Sequence, residues 1–275
     1  MFLETGEVNA VQKTLETLLS DLPGASLEEV AVAAQLMTRV DRKYVIRLDD
    51  DGLNLIASIV DEVGRKHKAA AQEIDGVRTG EYRSIYFDTL GNLSFLTAVT
   101  GHPYRWKVRT REYLTSGHSF VEVKYRDGGE STSKVRVPAE DEATEFVAKT
   151  LRDVGAGDVG PLQPALTTRY HRGTILLPEE ESRVTIDVSL SATSFGGDRL
   201  DYGNVAVIET KTPTSKGSKV DRLLFDAGLR PTRFSKYATS RALIDRRLPR
   251  KRWEKVIRGW GLDQIEVTPS GPIEG

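Results

Sequence analysis

The stretch KVRTREY, Lys107 to Tyr113, has the alternation of a β-strand. Successive side chains of a strand point to opposite faces. Lys107, Arg109 and Arg111 therefore share one face, and Val108 and Thr110 share the other. Three like charges on one side of a strand repel each other, and something must offset that repulsion.

The same parity recurs along the chain. In VEVKY, Glu122 and Lys124 oppose Val121, Val123 and Tyr125. In RVTIDVS, Arg183, Thr185 and Asp187 oppose Val184, Ile186 and Val188. In VAVIETK, Glu209 and Lys211 lie opposite Ile208. Two readings fit. One is an antiparallel sheet with a single wet face. The other is a sheet that closes on itself, so that the ionic side chains converge in a lumen. Its cations, Lys107, Arg109, Arg111, Lys124, Arg183 and Lys211, outnumber the acids Glu122, Asp187 and Glu209. Such a lumen suits a polyanion. Cations contact phosphate oxygens, and carboxylates hold a divalent metal that bridges phosphates.

Around these strands the 275 residues read as a soluble globular chain, 39% hydrophobic and 29% charged. The net charge of −1 argues against a general nucleic-acid binder. Cysteine is absent, which excludes disulfides and thiolate metal sites. The four histidines are scattered without zinc-ligand spacing. No apolar run reaches the roughly 18 residues of a membrane span, and the acidic start MFLETGEVNA is unlike a signal peptide. The expected location is cytoplasmic. Ser26 and Glu29 have capping-box spacing. Helices are expected over the first 36 residues, Asp50–Val63, Glu140–Val154, Val220–Ala227, Ser235–Arg246 and Pro249–Trp260. Strands are expected at Asp41–Arg47, Tyr82–Phe87, in a hairpin of KVRTREY and SFVEVKYR joined at TSGH, and in TRYHRGTILL, RVTIDVSLSA, RLDY and VAVIETK. The fold class is α+β, an antiparallel β-barrel forming a charged tunnel with helices packed outside. One domain is expected over 1–262, with its core at 36–246 and helices appended at both ends, followed by a disordered tail at 263–275.

Eight segments, RVDRKYVI, YRSIYFDT, KVRTREY, FVEVKYR, LTTRYHRGT, RVTIDVSL, VAVIETK and RFSKYATS, occur in this order from Arg39 to Ser240. Together they resemble the polyphosphate polymerase domain of the vacuolar transporter chaperone (VTC) family, within the triphosphate tunnel metalloenzymes (CYTH-like). The resemblance implies that Lys43, with Arg39 and Asp41 on its face, Arg109, Arg111, Lys124, Arg172, Arg183, Lys211 and Lys236 bind phosphates. It makes Lys236, Ser235, Arg109 and Arg111 the catalytic candidates, and Glu209 the metal ligand, with Glu122 and Asp187 in a secondary role. The implied cofactor is Mn²⁺ or Mg²⁺. The implied substrates are ATP, phosphate, and inorganic polyphosphate or triphosphate.

The chain departs from the family where many members have Glu and it has Asp41, one methylene shorter. Its length leaves no room for the inositol-phosphate sensor and membrane helices of eukaryotic members. No nucleic-acid partner and no integral membrane segment are expected, while a membrane protein is an expected possible partner. There is no P-loop; SKGSK lacks the spacing. The alternatives are a tripolyphosphatase or nucleoside triphosphatase of the same superfamily, and a polyphosphate-binding module without catalysis. The basic run RRLPRKRW near the C-terminus reads as a solvated helix, or as a contact for an acidic partner, a membrane surface or a polyanion.

Overall fold

The computed structural model describes residues 5–33, 40–129, 132–140 and 143–269. In chain order its elements are α1 (Thr5–Ser20), β1 (Gly24–Ala25), α2 (Leu27–Ala33), β2 (Val40–Arg47), α3 (Asp50–Lys66), β3 (Ala70–Gln72), β4 (Thr79–Asp88), α4 (Leu93–Thr100), β5 (Tyr104–Tyr113), β6 (His118–Asp127), β7 (Ser133–Pro138), α5 (Ala143–Asp153), β8 (Gln163–Leu177), β9 (Ser182–Ser194), β10 (Asp198–Asp201), β11 (Val205–Thr212), α6 (Lys219–Asp226), α7 (Lys236–Ile244), α8 (Glu254–Gly259) and β12 (Val267–Pro269). The class is α+β, a large and mainly antiparallel sheet with helices. Its order is β12-β10-β9-β8-β4-β5-β6-β7, with β11 joining β2 to β9, and β3 joining β1 to β8.

The expected barrel is not closed. Among the described residues the order ends on β7 at one side and β12 at the other. β7 alternates between half-buried and exposed residues, the pattern of an edge strand. β12 pairs with β10, Leu200 opposite Val267, so Val267–Pro269 is strand within the stretch expected to be a disordered tail. The expected helix Pro249–Trp260 is instead a 3₁₀ turn at Lys251–Trp253 followed by the short α8. β1, β3, α4, β7 and β12 were not expected from sequence.

The described residues form two compact units. One is drawn from 1–81, 170–190 and 202–234, the other from 82–169, 191–201 and 235–275. In the first, β11 pairs with β2 on one side and β9 on the other. The apolar face of these strands, Tyr44, Ile46, Val184, Ile186, Val188, Ala206 and Ile208, packs with Leu15 and Leu19 of α1, Ile56, Ile59, Val60 and Val63 of α3, and Val220 and Leu224 of α6. Local chemistry places these helices. Asp49 caps α3 by accepting from Gly52 N at 3.0 Å, and its end charges, Asp50 and Asp51 against Arg65 and Lys66, complement the helix dipole. Ser218 and Asp221 form a capping box on α6. Asp221 also accepts from Tyr44 and Thr210 hydroxyls, both at 2.7 Å, which fastens α6 to β2 and β11. The Ser26–Glu29 capping box forms as expected, at 2.7 and 3.2 Å.

In the second unit β4, β5, β6 and β7 follow one another as an antiparallel meander. Trp106, Val108, Val121 and Val123 face Val147 and Leu151 of α5. The opposite face of β5 and β6 carries Lys107, Arg109, Arg111, Glu122 and Lys124.

Gly52 tests the close approach of α3 to the end of β2. A Cβ there would lie 1.8 Å from the Arg47 carbonyl oxygen, a backbone atom that cannot swing aside. Gly52→Ala is expected to cost about 1–3 kcal/mol in denaturant unfolding. Gly91→Ala, which opens onto free space, is the control and is expected to change stability little.

Candidate functional site

The ionic faces are buried at their centres. Glu122 and Asp187 are 0% exposed, and Arg109, Arg111, Glu209 and Lys211 are buried as well. Each unit carries one ionic cluster.

In the first unit, strand register sets Glu209 between Lys43 and Thr185, and Lys211 between Asp41 and Arg183. Oε1 of Glu209 accepts from the Nζ of Lys43 and of Lys211, each at 2.7 Å. Lys211 also donates to Asp41 at 3.2 Å. Asp187 is gripped by Arg172 through two bonds, Nε to Oδ1 at 2.6 Å and Nη2 to Oδ2 at 2.9 Å. Two lysines sharing one carboxylate oxygen are not equivalent. Burial pushes the Lys43 ammonium down, but Glu209 and then Asp41 outweigh it, and its pKa is raised. For Lys211 burial prevails over Glu209 and Asp41, Lys43 adds repulsion, and its pKa is lowered. In the row of Lys43 and Glu209, the buried Thr185 Oγ1 has no hydrogen-bond partner among the described residues.

In the second unit, Arg109 donates to Oε2 of Glu122 from Nε at 2.8 Å and from Nη2 at 2.5 Å, and to the Tyr86 hydroxyl from Nη1 at 3.2 Å. Lys134 of β7 donates to Oε1 of Glu122 at 3.1 Å. Burial pushes the Glu122 carboxyl up, yet Arg109, Arg111 and Lys134 together hold it far below the usual carboxylate range. Arg111 reaches the Ser84 hydroxyl at 3.4 Å and lies over the Tyr82 ring. Lys107, Lys124 and Lys134 stand opposite one another across β5, β6 and β7. Like charges directly opposite destabilise a sheet.

The second cluster is tied to the start of α7. Ser235 caps that helix by accepting from Ala238 N at 3.2 Å, and also accepts from Lys107 Nζ at 3.1 Å. Lys236 opens the helix. Tyr237 stacks on Tyr86, centroids 5.1 Å apart, and its hydroxyl donates to Asp88 at 2.5 Å. Asp88 in turn accepts from the backbone N–H of Ser94 and Phe95 at the start of α4. One buried carboxylate thus fixes two helix N-termini. Burial pushes the Tyr86 phenol up, but Arg109, Arg111 and Lys236 leave it lowered.

Most of the residues singled out from sequence fall into these clusters. Asp41, Lys43, Arg172, Arg183, Asp187, Glu209 and Lys211 are in the first unit, and Arg109, Arg111, Glu122, Lys124, Ser235 and Lys236 in the second. Arg39 lies outside the described residues. Lys134, Ser84, Tyr86 and Asp88 are additions. The parity of SIYFD could have shown the last three, since Ser84 pairs with Arg111 and Tyr86 with Arg109.

Among the described residues no group of three or more His, Asp or Glu is placed to hold a metal. Glu122 and Asp187, expected as secondary metal ligands, each have both oxygens on cations and are fully buried. That geometry does not fit coordination. Glu209 fits differently. Mg²⁺ is usually held by one or two carboxylates together with substrate phosphates, so a single carboxylate among cations is compatible with it.

Glu122→Gln leaves the Arg109 guanidinium buried beside a neutral amide. The expected loss is about 3–5 kcal/mol at neutral pH. Because the folded pKa of Glu122 is depressed, its contribution is fully present above the unfolded value of about 4.3 and is lost as pH falls. The gap between wild type and variant in urea unfolding should therefore narrow below about pH 4. A gap independent of pH would contradict this.

No curated protein matches the chain in sequence. Among solved structures it is similar to a protein provisionally described as an adenylate cyclase from Bacillus halodurans, at 11% identity over 74% of this chain and 96% of that one, TM-score 0.48. Another such protein, from Vibrio parahaemolyticus, is 16% identical over 74% and 98%, TM-score 0.41. A provisionally named adenylyl cyclase from Hippeastrum, described as having a dominant triphosphatase activity, is 16% identical over 74% and 96%, TM-score 0.43. Scores of this size carry no argument about the site. The sequence profile of the VTC domain matches residues 38–244, which contain every residue of the two clusters, and the chain belongs to the VTC domain family.

Proposed function

We propose that the protein is an ATP-dependent polyphosphate polymerase, passing the terminal phosphate of ATP to phosphate or to a growing chain and releasing ADP. The observation that best supports this reading is the excess of buried or half-buried cations over carboxylates in both clusters, with each carboxylate already held by a cation. An excess of that kind is costly unless an anion completes it. Phosphoryl transfer asks chiefly for positioning and charge neutralisation, which such residues supply.

In this reading Lys43, Arg172, Arg183 and Lys211 hold phosphate oxygens in the first unit, and Thr185 offers a hydroxyl. Lys107, Arg109, Arg111, Lys124 and Lys134 do so in the second. Ser235 and Lys236, presented at the start of α7, are the residues assigned to the reacting phosphate. Glu209 would hold Mn²⁺ or Mg²⁺ together with phosphate oxygens, and the metal when bound neutralises charge that develops on them. A cytoplasmic location and a possible membrane-protein partner remain part of the proposal. No helix among the described residues is long and apolar enough to cross a membrane.

The decisive test incubates pure protein with ATP and Mn²⁺ or Mg²⁺ and measures polyphosphate, ADP and free phosphate. The proposal expects polymer with matching ADP. Free phosphate without polymer would mark a triphosphatase instead, and binding without turnover a polyphosphate-binding module. Glu209→Gln is expected to remove most metal-dependent turnover. Inorganic triphosphate should raise the melting temperature, by the equivalent of about 2.7 kcal/mol at a hundredfold excess over Kd. Arg109→Ala and Arg111→Ala should each shrink that rise, and Arg252→Ala should not. Arginine variants that lose stability yet keep the full rise would assign these cations to the fold alone.

A further inference from the structure

The second unit carries a surface that the polymerase reading leaves unused. α4 packs inward through Ser94, Phe95 and Ala98. Its outer side presents Leu93 and Leu96, 39% and 38% exposed, and Leu90 in the preceding turn is 83% exposed. The polar groups of this helix turn away from its surroundings. Thr97 and Thr100 return their hydroxyls to the carbonyls of Leu93 and Leu96, each at 2.9 Å. What α4 offers outward is therefore almost wholly apolar.

The leucine stripe stops at Gly101, and cations begin there. The Arg252 guanidinium lies against Gly101, where a Cβ would come within 2.3 Å of its Nη1. Phe95 packs on Trp253 with ring centroids 5.7 Å apart, which fixes the basic C-terminal stretch beside α4. Arg105 and Arg126 face each other across β5 and β6, and Arg105 feels the charge of both Arg126 and Arg252. Between Arg246 and Arg258 the sequence holds seven cations, Arg246, Arg247, Arg250, Lys251, Arg252, Lys255 and Arg258, against the single acid Glu254. Arg247 pairs with Asp245, and Arg250 and Arg258 share Glu254, while Lys251 and Lys255 are exposed.

Exposed leucines on a helix whose end adjoins a stretch rich in arginine and lysine match the interface of an anionic bilayer. Apolar side chains enter the acyl boundary while cations meet the lipid phosphates and carboxylates. A soluble polyanion would use the cations and have no use for the leucines. We propose that this face of α4 and the C-terminal basic stretch docks the protein on a negatively charged lipid surface.

The test is cosedimentation of the full chain with vesicles of phosphatidylcholine alone, and of phosphatidylcholine and phosphatidylserine in equal parts. Binding is expected on the mixed vesicles and not on the neutral ones. The double variant Leu93→Ser/Leu96→Ser should bind roughly tenfold more weakly at unchanged charge. Lys251→Glu/Lys255→Glu should also weaken binding. All four side chains are exposed, so melting temperatures should stay near that of the wild type. Absence of binding to the mixed vesicles overturns the proposal, as does equal binding to neutral ones. Full binding by the leucine variant overturns it too, and would assign the face to a soluble polyanion.

Discussion

A carboxylate buried beneath cations is the interaction on which the rest of this structure depends. It occurs as Glu122 under Arg109 and Lys134, as Asp187 under Arg172, and as Glu209 between Lys43 and Lys211. Removing charges from water costs several kcal/mol per ion, and the mutual attraction offsets it only where geometry is good. Here the pairs are short and in part bidentate, which is the geometry that makes burial tolerable. The carboxylates do not match the cations in number, however. The row Lys107, Lys124 and Lys134 concentrates positive charge on neighbouring strands. An arrangement of this kind serves the fold poorly and an anionic ligand well.

The same strands solve two problems with opposite faces. Their apolar sides bury against helices, Ile186 and Ile208 toward α3 and α6 in one unit, Val108 and Val123 toward α5 in the other. Because side chains alternate strictly, a slip of one residue would exchange the faces and place arginines in the core. The packing of valines and isoleucines thereby fixes the positions of Arg109, Asp187 and Glu209. Asp88 extends this order to α4 and α7, since it anchors Tyr237 and so the start of α7, where Ser235 and Lys236 stand.

Period-two alternation made much of this legible in the sequence. It placed Arg109 with Arg111, Glu122 with Lys124, and Glu209 with Lys211 on ionic faces, and the TSGH turn announced the β5–β6 hairpin. Capping chemistry announced Ser26 and Glu29. Partnership between strands was not legible, because register depends on residues far apart in the chain. The Lys107–Lys124–Lys134 row and the sharing of Glu209 by Lys43 and Lys211 needed the structure for that reason. α4 was missed because LSFLTAVT is a short apolar run with β-branched residues, which periodicity cannot assign between helix and strand. The basic C-terminal helix was overestimated because Trp253 turns inward to Phe95, and the backbone at Arg250 and Trp253 leaves the helical region to allow it. Closure of the sheet depends on edges meeting, and no local pattern encodes that.

The central claim is that the cation excess of these ionic faces exists for phosphate anions. Calorimetric titration of the full chain with inorganic triphosphate, without nucleotide or metal, tests it most directly. The account predicts saturable binding that weakens as salt rises and weakens markedly when Arg109 and Arg111 are both replaced by alanine. Absence of saturable binding, or binding unchanged in that double variant, would contradict it.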